Sequence, residues 1–346
     1  MSPNIIHAVL GAVACCFAAS SGRADTFYVS NYGDSTIKKV SSSGAVTNFA
    51  MVPGKPYGLA FDSRGYLYVA SAQTTNLLSS ISPDGTVTRF ATLPPNFDAT
   101  DILFDSHGTM HLTDQSGYGV GRMLITGGTV SRFATNRINL SFGLAFNPRG
   151  NLYVGDNLNS KIVSIQPDGK AGPAILNIPS VWGLAFDASG DLYASTPSVI
   201  KRIPVAGAVT NFSSGFTFAS GIAFDSRGDL YVVDQSKNTI RRVTPDGVAH
   251  AFATGLNQPL YIAVRPDSTV PRLSIPKQST AEIGQSGATL SLSGGINQFY
   301  QLFTSPNLTN WTVWQTNVLR ATNAVEINDP EAANLGRRFY RAVLVP

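Results

Sequence analysis

The sequence predicts an all-β chain, a six-bladed β-propeller followed by a small β-sandwich, and three observations carry that prediction. One pattern returns five times: GLAFDSRGYLYV from Gly58, DILFDSHGTMHL from Asp101, GLAFNPRGNLYV from Gly143, GLAFDASGDLYA from Gly183 and GIAFDSRGDLYV from Gly221. The marker residues Phe61, Phe104, Phe146, Phe186, Phe224 and Val264 lie 43, 42, 40, 38 and 40 residues apart. That period suits one four-stranded unit per repeat. Finally, of 346 residues 43% are hydrophobic and only 13% charged, with 32 glycines. This is too apolar for a disordered chain, and no long run rich in Ala, Glu, Lys and Leu supports helices.

The elements follow in chain order. Residues 5–19, IIHAVLGAVACCFAA, form an apolar core, and Gly22 and Ala24 suit cleavage before Asp25. Residues 1–24 are therefore expected to be a signal peptide, and the chain secreted, periplasmic or held at a bacterial cell surface. The run is short for a bilayer span, so no transmembrane segment is expected in the mature chain. The only cysteines, Cys15 and Cys16, lie inside this run. Cleavage would leave no thiol for disulfides, catalysis or metal binding.

Residues 25–267 are assigned to the propeller. Each repeat supplies two strands joined by an Asp-x-x-Gly turn, as at Asp62–Gly65 and Asp225–Gly228. Asp bonds its own backbone ahead and Gly takes the positive φ that closes the hairpin. A second pair of strands follows, seen in IKKVSSSGAVTNFA, ISPDGTVTRFAT, IKRIPVAGAVTNFS and IRRVTPDGVAHAFAT, often with a Pro-Asp-Gly turn. The chain opens on Phe27-Tyr28-Val29, which matches a second strand, and ends the array on Tyr261-Ile262-Ala263-Val264, which matches a first strand. Three N-terminal strands and one C-terminal strand should therefore share a blade and close the ring.

Between residues 25 and 270 there are 18 Lys and Arg against 17 Asp and no Glu, scattered in ones and twos. No nucleic-acid partner is expected from such a distribution. Residues 268–276, STVPRLSIP, read as a linker, and 277–346 as the sandwich, with alternating segments ATLSLSG, FYQLFTS, WTVWQTNV and FYRAVLVP. Trp311, Trp314, Phe339 and Tyr340 are its expected core.

The pattern G-[LI]-A-F-D-x-x-G-x-L-Y-V-x-D, with a following Asn as in Asp234 to Asn238, resembles the NHL repeat. More broadly it is similar to the six-bladed gluconolactonase-like and streptogramin-lyase propellers. The resemblance covers about residues 25–270. It implies the architecture and leaves function open, because such propellers host lactonases, lyases and pure binding domains. In the last part, Tyr300, Phe303, Ser305, Leu308 and Trp311, then Arg338-Phe339-Tyr340-Arg341, resemble an immunoglobulin-like module of secreted bacterial proteins.

Strand polarity places the residues before each GLAF run and after each LYV run at one end of the channel. Tyr57, Phe142, Trp182 and Tyr261, with Asp101, form an aromatic mouth with little charge. Such faces stack on a planar or sugar ligand, or else plug the channel. Asp114, Asp156 and Asp234 share one position in three blades, where they serve either a ligand or their own loops. The resemblance implies, for hydrolytic members, a divalent metal held by one Glu, two Asn and one Asp; here only Asp101 stands at such a position. For the lyases it implies His and Glu. His107 lies in a hairpin turn on the opposite face, His111 takes the place held by Tyr68, Tyr153, Tyr193 and Tyr231, and His250 falls in an outer strand.

No cofactor is therefore expected, with Ca²⁺ or Mg²⁺ the one alternative left open. The expected function is a binding or interaction protein that presents its loop face to an extracellular small molecule, glycan or protein. The alternatives are a divergent metal-dependent lactonase or lyase built on Asp101 and Asp98, and a surface scaffold docked through the C-terminal module.

Overall fold

The computed structural model describes residues 25–265 except 63, 73–75, 106, 117–118, 125, 135–137, 139 and 148; beyond that span it describes 8–9, 272–274, 288–293, 299–305, 312–318, 324–331 and 339–345. Almost all of the expected signal peptide, most of the expected linker, and Trp311 lie outside the described residues. The chain divides into two compact units, Asp25–Pro266 and the remainder. Among the described residues no helix is long and apolar enough to cross a membrane.

The first unit is a six-bladed β-propeller made of six four-stranded antiparallel sheets. Blade 1 runs through Lys55–Phe61, Leu67–Ala72, Leu77–Ile81 and Val87–Thr92. Blade 2 uses Ala99–Phe104, Thr109–Asp114, Gly119–Leu124 and Ser131–Ala134. Blade 3 uses Ser141–Phe146, Leu152–Asp156, Lys161–Ile165 and Ala171–Leu176. Blade 4 uses Gly183–Phe186, Leu192–Ser195, Val199–Ile203 and Thr210–Ser214. Blade 5 uses Ala219–Phe224, Leu230–Asp234, Thr239–Val243 and Ala249–Ala253.

Blade 6 closes the ring as the strand count requires. Its innermost strand is Pro259–Arg265 and its outer three are Thr26–Asn31, Thr36–Val40 and Val46–Met51. Phe27 pairs with Val264 and Val29 with Ile262, so a ladder between the two ends of the array leaves no open seam. Asp25, just before this blade, is buried and its Oδ2 accepts the Ser226 amide of blade 5 at 2.6 Å.

The apolar cores lie between blades, not within them. Tyr28 and Ile37 of blade 6 pack on Leu59, Leu67 and Ile81 of blade 1, and the same sharing recurs around the ring. Three of the six seams repeat a clasp. The second-strand tyrosine is held edge-on between a Phe of its own outer strand and the marker Phe of the next blade: Tyr68 between Phe90 (4.9 Å) and Phe104 (5.2 Å), and Tyr193 between Phe212 (4.9 Å) and Phe224 (5.0 Å). Edge-to-face geometry contributes stability beyond that of the area each ring buries.

At the axis the innermost strands approach so closely that side chains do not fit. A Cβ on Gly58 would lie 2.4 Å from Asp101 Cα, one on Gly143 2.9 Å from Gly183 Cα, and one on Gly221 2.6 Å from Tyr261 Cα. A Cβ on Gly183 would meet the Ser220 carbonyl oxygen at 2.7 Å. The G of each GLAF run is therefore a spacing requirement between blades, not a turn residue.

The described strands of the second unit form two small sheets. One orders Ala8–Val9, Phe339–Val345, Phe299–Ser305 and Thr312–Val318; the other orders Arg272–Ser274, Ala288–Ser293 and Ala324–Asp329. Leu290, Leu302, Ile327 and Tyr340 are buried, and the Tyr340 hydroxyl donates to Asp329 Oδ2 at 2.7 Å. The Trp314 ring lies 5.9 Å from that of Tyr340.

Gly143→Ala and Gly183→Ala should each cost about 1–3 kcal/mol, the usual range for overpacking a filled interior. Urea unfolding measures this. An unchanged midpoint in both variants would show that the inner strands have room the geometry denies.

Candidate functional site

The channel is built in layers set by the strand pattern. On the loop side stand Tyr57, Thr100, Phe142, Trp182, Ser220 and Leu260, each one residue before the glycine layer. The next layer is Gly58, Asp101, Gly143, Gly183, Gly221 and Tyr261. Between this layer and the marker phenylalanines lies a cavity of about 470 Å³, walled by backbone and by side chains such as Leu59, Ile102, Leu144, Leu184 and Ile222. None of Tyr57, Phe142 and Trp182 borders it.

Local backbone irregularity shapes the glycine layer. In five blades the ladder between first and second strands slips, for example between Leu112 and Asp114 and between Val29 and Asn31. A bulge leaves amides without ladder partners, and buried amides need partners. Hydroxyls of the second strand meet several of them. Asp101 N–H donates to Thr113 Oγ1 at 2.8 Å and Tyr261 N–H to Ser30 Oγ at 2.9 Å. In blade 4, Gly183 N–H donates to Ser195 Oγ at 2.8 Å. Gly143 N–H reaches the Trp182 carbonyl of the next blade at 3.1 Å.

Two of the six positions in this layer carry side chains. The Tyr261 hydroxyl donates to the Trp182 carbonyl at 3.3 Å, bridging from blade 6 past blade 5 to blade 4. Asp101 Oδ1 accepts the Ile102 amide at 2.8 Å, and Oδ2 accepts the Leu144 amide of blade 3 at 2.9 Å. Burial pushes the Asp101 carboxyl up to about 7 against the lowering effect of those two amides. Burial, with smaller contributions from Asp101 and Tyr57, pushes the Tyr261 phenol well above its ordinary value. At neutral pH the layer thus holds a neutral phenol near a carboxyl that is partly protonated.

Of the expected mouth aromatics, Phe142 and Trp182 pack on each other, Tyr57 packs on a different ring, and Tyr261 lies one layer below. Phe142 and Trp182 rings are 4.4 Å apart, and Trp182 meets Phe218 edge-on at 5.0 Å. Tyr57 packs edge-on against Tyr32 at 5.6 Å. Tyr57, Phe142 and Tyr261 are each less than 10% exposed. Asp114, Asp156 and Asp234 are fully buried below the loop surface, away from the channel lining. Asp114 Oδ1 accepts the Asp98 and Ser116 amides, both at 2.9 Å. Asp156 accepts the Asn159 side chain at 2.9 Å, and Asp234 Oδ1 the Phe218 amide at 3.0 Å. Asp114 and Asp234 therefore tie down the loop before their blade, and Asp156 the loop that follows its own strand.

The sequence reading did not single out the hydroxyls of Ser30, Thr113 and Ser195, nor Phe218. Recurrent small hydroxylic residues after the second-strand tyrosine, in YVS, HLT and YAS, were the available signal.

A divalent cation needs several oxygen donors converging on one point. Asp101 spends both carboxylate oxygens on backbone amides. Among the described residues no three or more His, Cys, Asp or Glu side chains are grouped to hold a metal ion. The donor set does not fit a divalent cation.

The comparisons agree with this architecture. A family described as a repeat of unknown function (DUF6923) matches residues 24–183. No curated protein matches the chain by sequence. Among solved structures, a gluconolactonase from Xanthomonas campestris is 18% identical, with a TM-score of 0.54, covering 60% of this chain and 79% of that one. A chain of the nidogen–laminin complex is 17% identical, with a TM-score of 0.61 and coverages of 69% and 98%. A catalytically inactive virginiamycin B lyase from Staphylococcus aureus, solved with quinupristin, is 15% identical, with a TM-score of 0.51 and coverages of 93% and 100%. At these identities the likeness is one of fold, and that fold serves enzymes and a complex-forming protein alike.

The raised Asp101 pKa has a defined linkage sign. The folded-state value lies above the ordinary 3.8. Stability attached to this carboxyl is therefore complete below about pH 4 and is lost as pH rises through about 7. The stability difference between the parent protein and Asp101→Asn should shrink over that interval in urea titrations at successive pH values. A constant difference would place the carboxyl at its ordinary pKa.

Proposed function

We propose that the chain is exported, matures at Asp25, and acts as a binding or interaction protein whose propeller presents its loop face to an extracellular ligand. The C-terminal unit is read as an immunoglobulin-like accessory module. The observation that carries the reading is the Tyr261 hydroxyl bonded across the channel to the Trp182 carbonyl, with Phe142, Trp182 and Phe218 packed on the loop side. A ligand arriving there meets a surface, not an open active-site funnel. That surface carries exposed apolar side chains at the rim of blade 3, where Leu140, Leu158 and Leu176 are 43%, 64% and 63% exposed. The neighbours known for complex formation or catalysis share the fold, so the choice rests on the site.

One observation favours a second reading, a divergent lactonase or lyase. Asp101 is a buried carboxyl poised near neutrality, the property of many general acids and bases. Against it, both oxygens are engaged by fixed amides, and among the described residues no second ionisable group bonds the carboxyl.

Turnover assays separate the readings. Hydrolysis of gluconolactone and ring opening of a streptogramin B antibiotic should not exceed background, and should be indistinguishable between the parent protein and Asp101→Ala. Turnover by the parent that Asp101→Ala abolishes would establish the catalytic reading instead.

A further inference from the structure

The channel is ringed by backbone donors that the sheets do not use. In each of blades 1 to 5 the residue after the marker donates its amide across the first hairpin: Asp62 to the Tyr66 carbonyl, Asp105 to Thr109, Asn147 to Asn151, Asp187 to Asp191 and Asp225 to Asp229, at 2.9 or 3.0 Å. Antiparallel pairing alternates, so a first strand turns its backbone groups to the second strand at every other residue and away between them. Leu59, Ile102, Leu144, Leu184 and Ile222, three residues before those donors, therefore turn their amides to the channel axis. Blade 6 pairs Ala263 with Tyr28 as blade 1 pairs Ala60 with Tyr68, which adds Ile262 to the ring. All six residues are buried and border the channel cavity.

Two of these amides are satisfied, and by a carboxylate. Asp101 takes Ile102 with one oxygen and reaches Leu144 of the next blade with the other. At the next three blades a glycine stands in the place of Asp101. A Cβ on Gly143, Gly183 or Gly221 would lie 2.9, 3.0 or 3.1 Å from the amide nitrogen of Leu184, Ile222 or Ile262. Blades 4, 5 and 6 thus present their amides as blade 3 presents that of Leu144, with glycine in front of each instead of a carboxylate. Buried amides require an acceptor, and a charged acceptor makes the stronger bond.

The loop end of the cavity is closed by the bridge from Tyr261 to Trp182, whereas the marker residues that ring its other end are only partly buried. Between the amide ring and the marker ring, two residues or about 7 Å along the strands, the wall includes the side chains of Leu59, Ile102, Leu144, Leu184 and Ile222.

We propose that this channel binds a short-chain carboxylate that enters from the hairpin face, sets its carboxylate on the amides of Leu184, Ile222 and Ile262, and lays its alkyl chain against the apolar wall. The site lies behind the closed loop end and is independent of the function proposed above. Asp101 occupies the other side of the ring. The titratable side chains beside it are the phenols of Tyr57 and Tyr261, and burial keeps that of Tyr261 neutral. Burial pushes the Asp101 carboxyl up to about 7. It is therefore largely protonated at about pH 6 and ionised at about pH 8.5, where it repels a second anion across a cavity of low dielectric.

Amide spectra of the ¹⁵N-labelled full chain titrated with butyrate test the proposal. The Leu184, Ile222 and Ile262 amide protons should move downfield and saturate at about pH 6, with binding at least tenfold weaker at about pH 8.5, where the competent form is the minor one. Asp101→Asn, which keeps the side-chain size and removes the charge, should lose this pH dependence. Should that variant fail to fold, the comparison of the two pH values in the parent protein decides alone. No saturable shift at these three amides, or equal affinity of the parent protein at both pH values, overturns the proposal. Equal shifts with 1-butanol, or binding of chloride or methylammonium as tight as that of butyrate, overturn the assignment of a carboxylate ligand.

Discussion

The close approach of six inner strands is the constraint on which the rest of this propeller depends. Gly58, Gly143, Gly183 and Gly221 let neighbouring backbones come within the distance a single Cβ would occupy. That contact sets the channel radius, and the radius sets what the two remaining positions can do. At blade 2 the Asp101 carboxyl turns to the next blade and bonds its backbone. At blade 6 the Tyr261 side chain bridges to blade 4 and bonds a carbonyl there. In a wider ring neither side chain would find its partner. The slipped ladders and the hydroxyls of Ser30 and Thr113 accompany the close approach, since those hydroxyls supply acceptors for amides removed from regular pairing.

This arrangement bears on function through electrostatics as much as through shape. A buried carboxyl near an apolar wall is a familiar route to a catalytic group. What distinguishes Asp101 is its partners, because two fixed backbone amides hold it and the nearby phenol is pushed toward its neutral form. Such a group is better suited to joining blades than to moving protons. The outer carboxylates follow the same logic at Asp114, Asp156 and Asp234, where each spends its oxygens on loop donors. The polar side chains of the loop end are thus largely consumed in holding it, and what remains on that face for a partner is shape and exposed apolar surface.

Much of the fold was legible because it is written locally. The marker phenylalanines and the Asp-x-x-Gly turns reveal blade number and strand order, and the tyrosines at 28, 68, 153, 193 and 231 mark a position facing the seam. The half-blades at the two ends announce the closure. The channel was less legible, because its contacts join residues from different blades, about 40 or more apart. Tyr57, Phe142, Trp182 and Tyr261 could be gathered at one end from strand polarity alone. Whether they faced a ligand or each other depended on the inter-blade distance, which no single repeat encodes. His111 stood out as the odd residue of its column, yet its edge-on contact with Phe146 comes from the following blade.

The central claim is that the loop end of the channel is a closed structural layer and not a gate. Native-state hydrogen exchange at the Leu144 and Tyr261 amides tests it most directly, since these amides are held by Asp101 Oδ2 and Ser30 Oγ. Side-chain acceptors would release them at once if the layer opened. The account predicts that both exchange only through global unfolding, with an opening free energy equal to that measured by urea. Exchange at an opening free energy several kcal/mol lower, with the neighbouring ladder amides still protected, would show that the channel opens at its loop end and would contradict it.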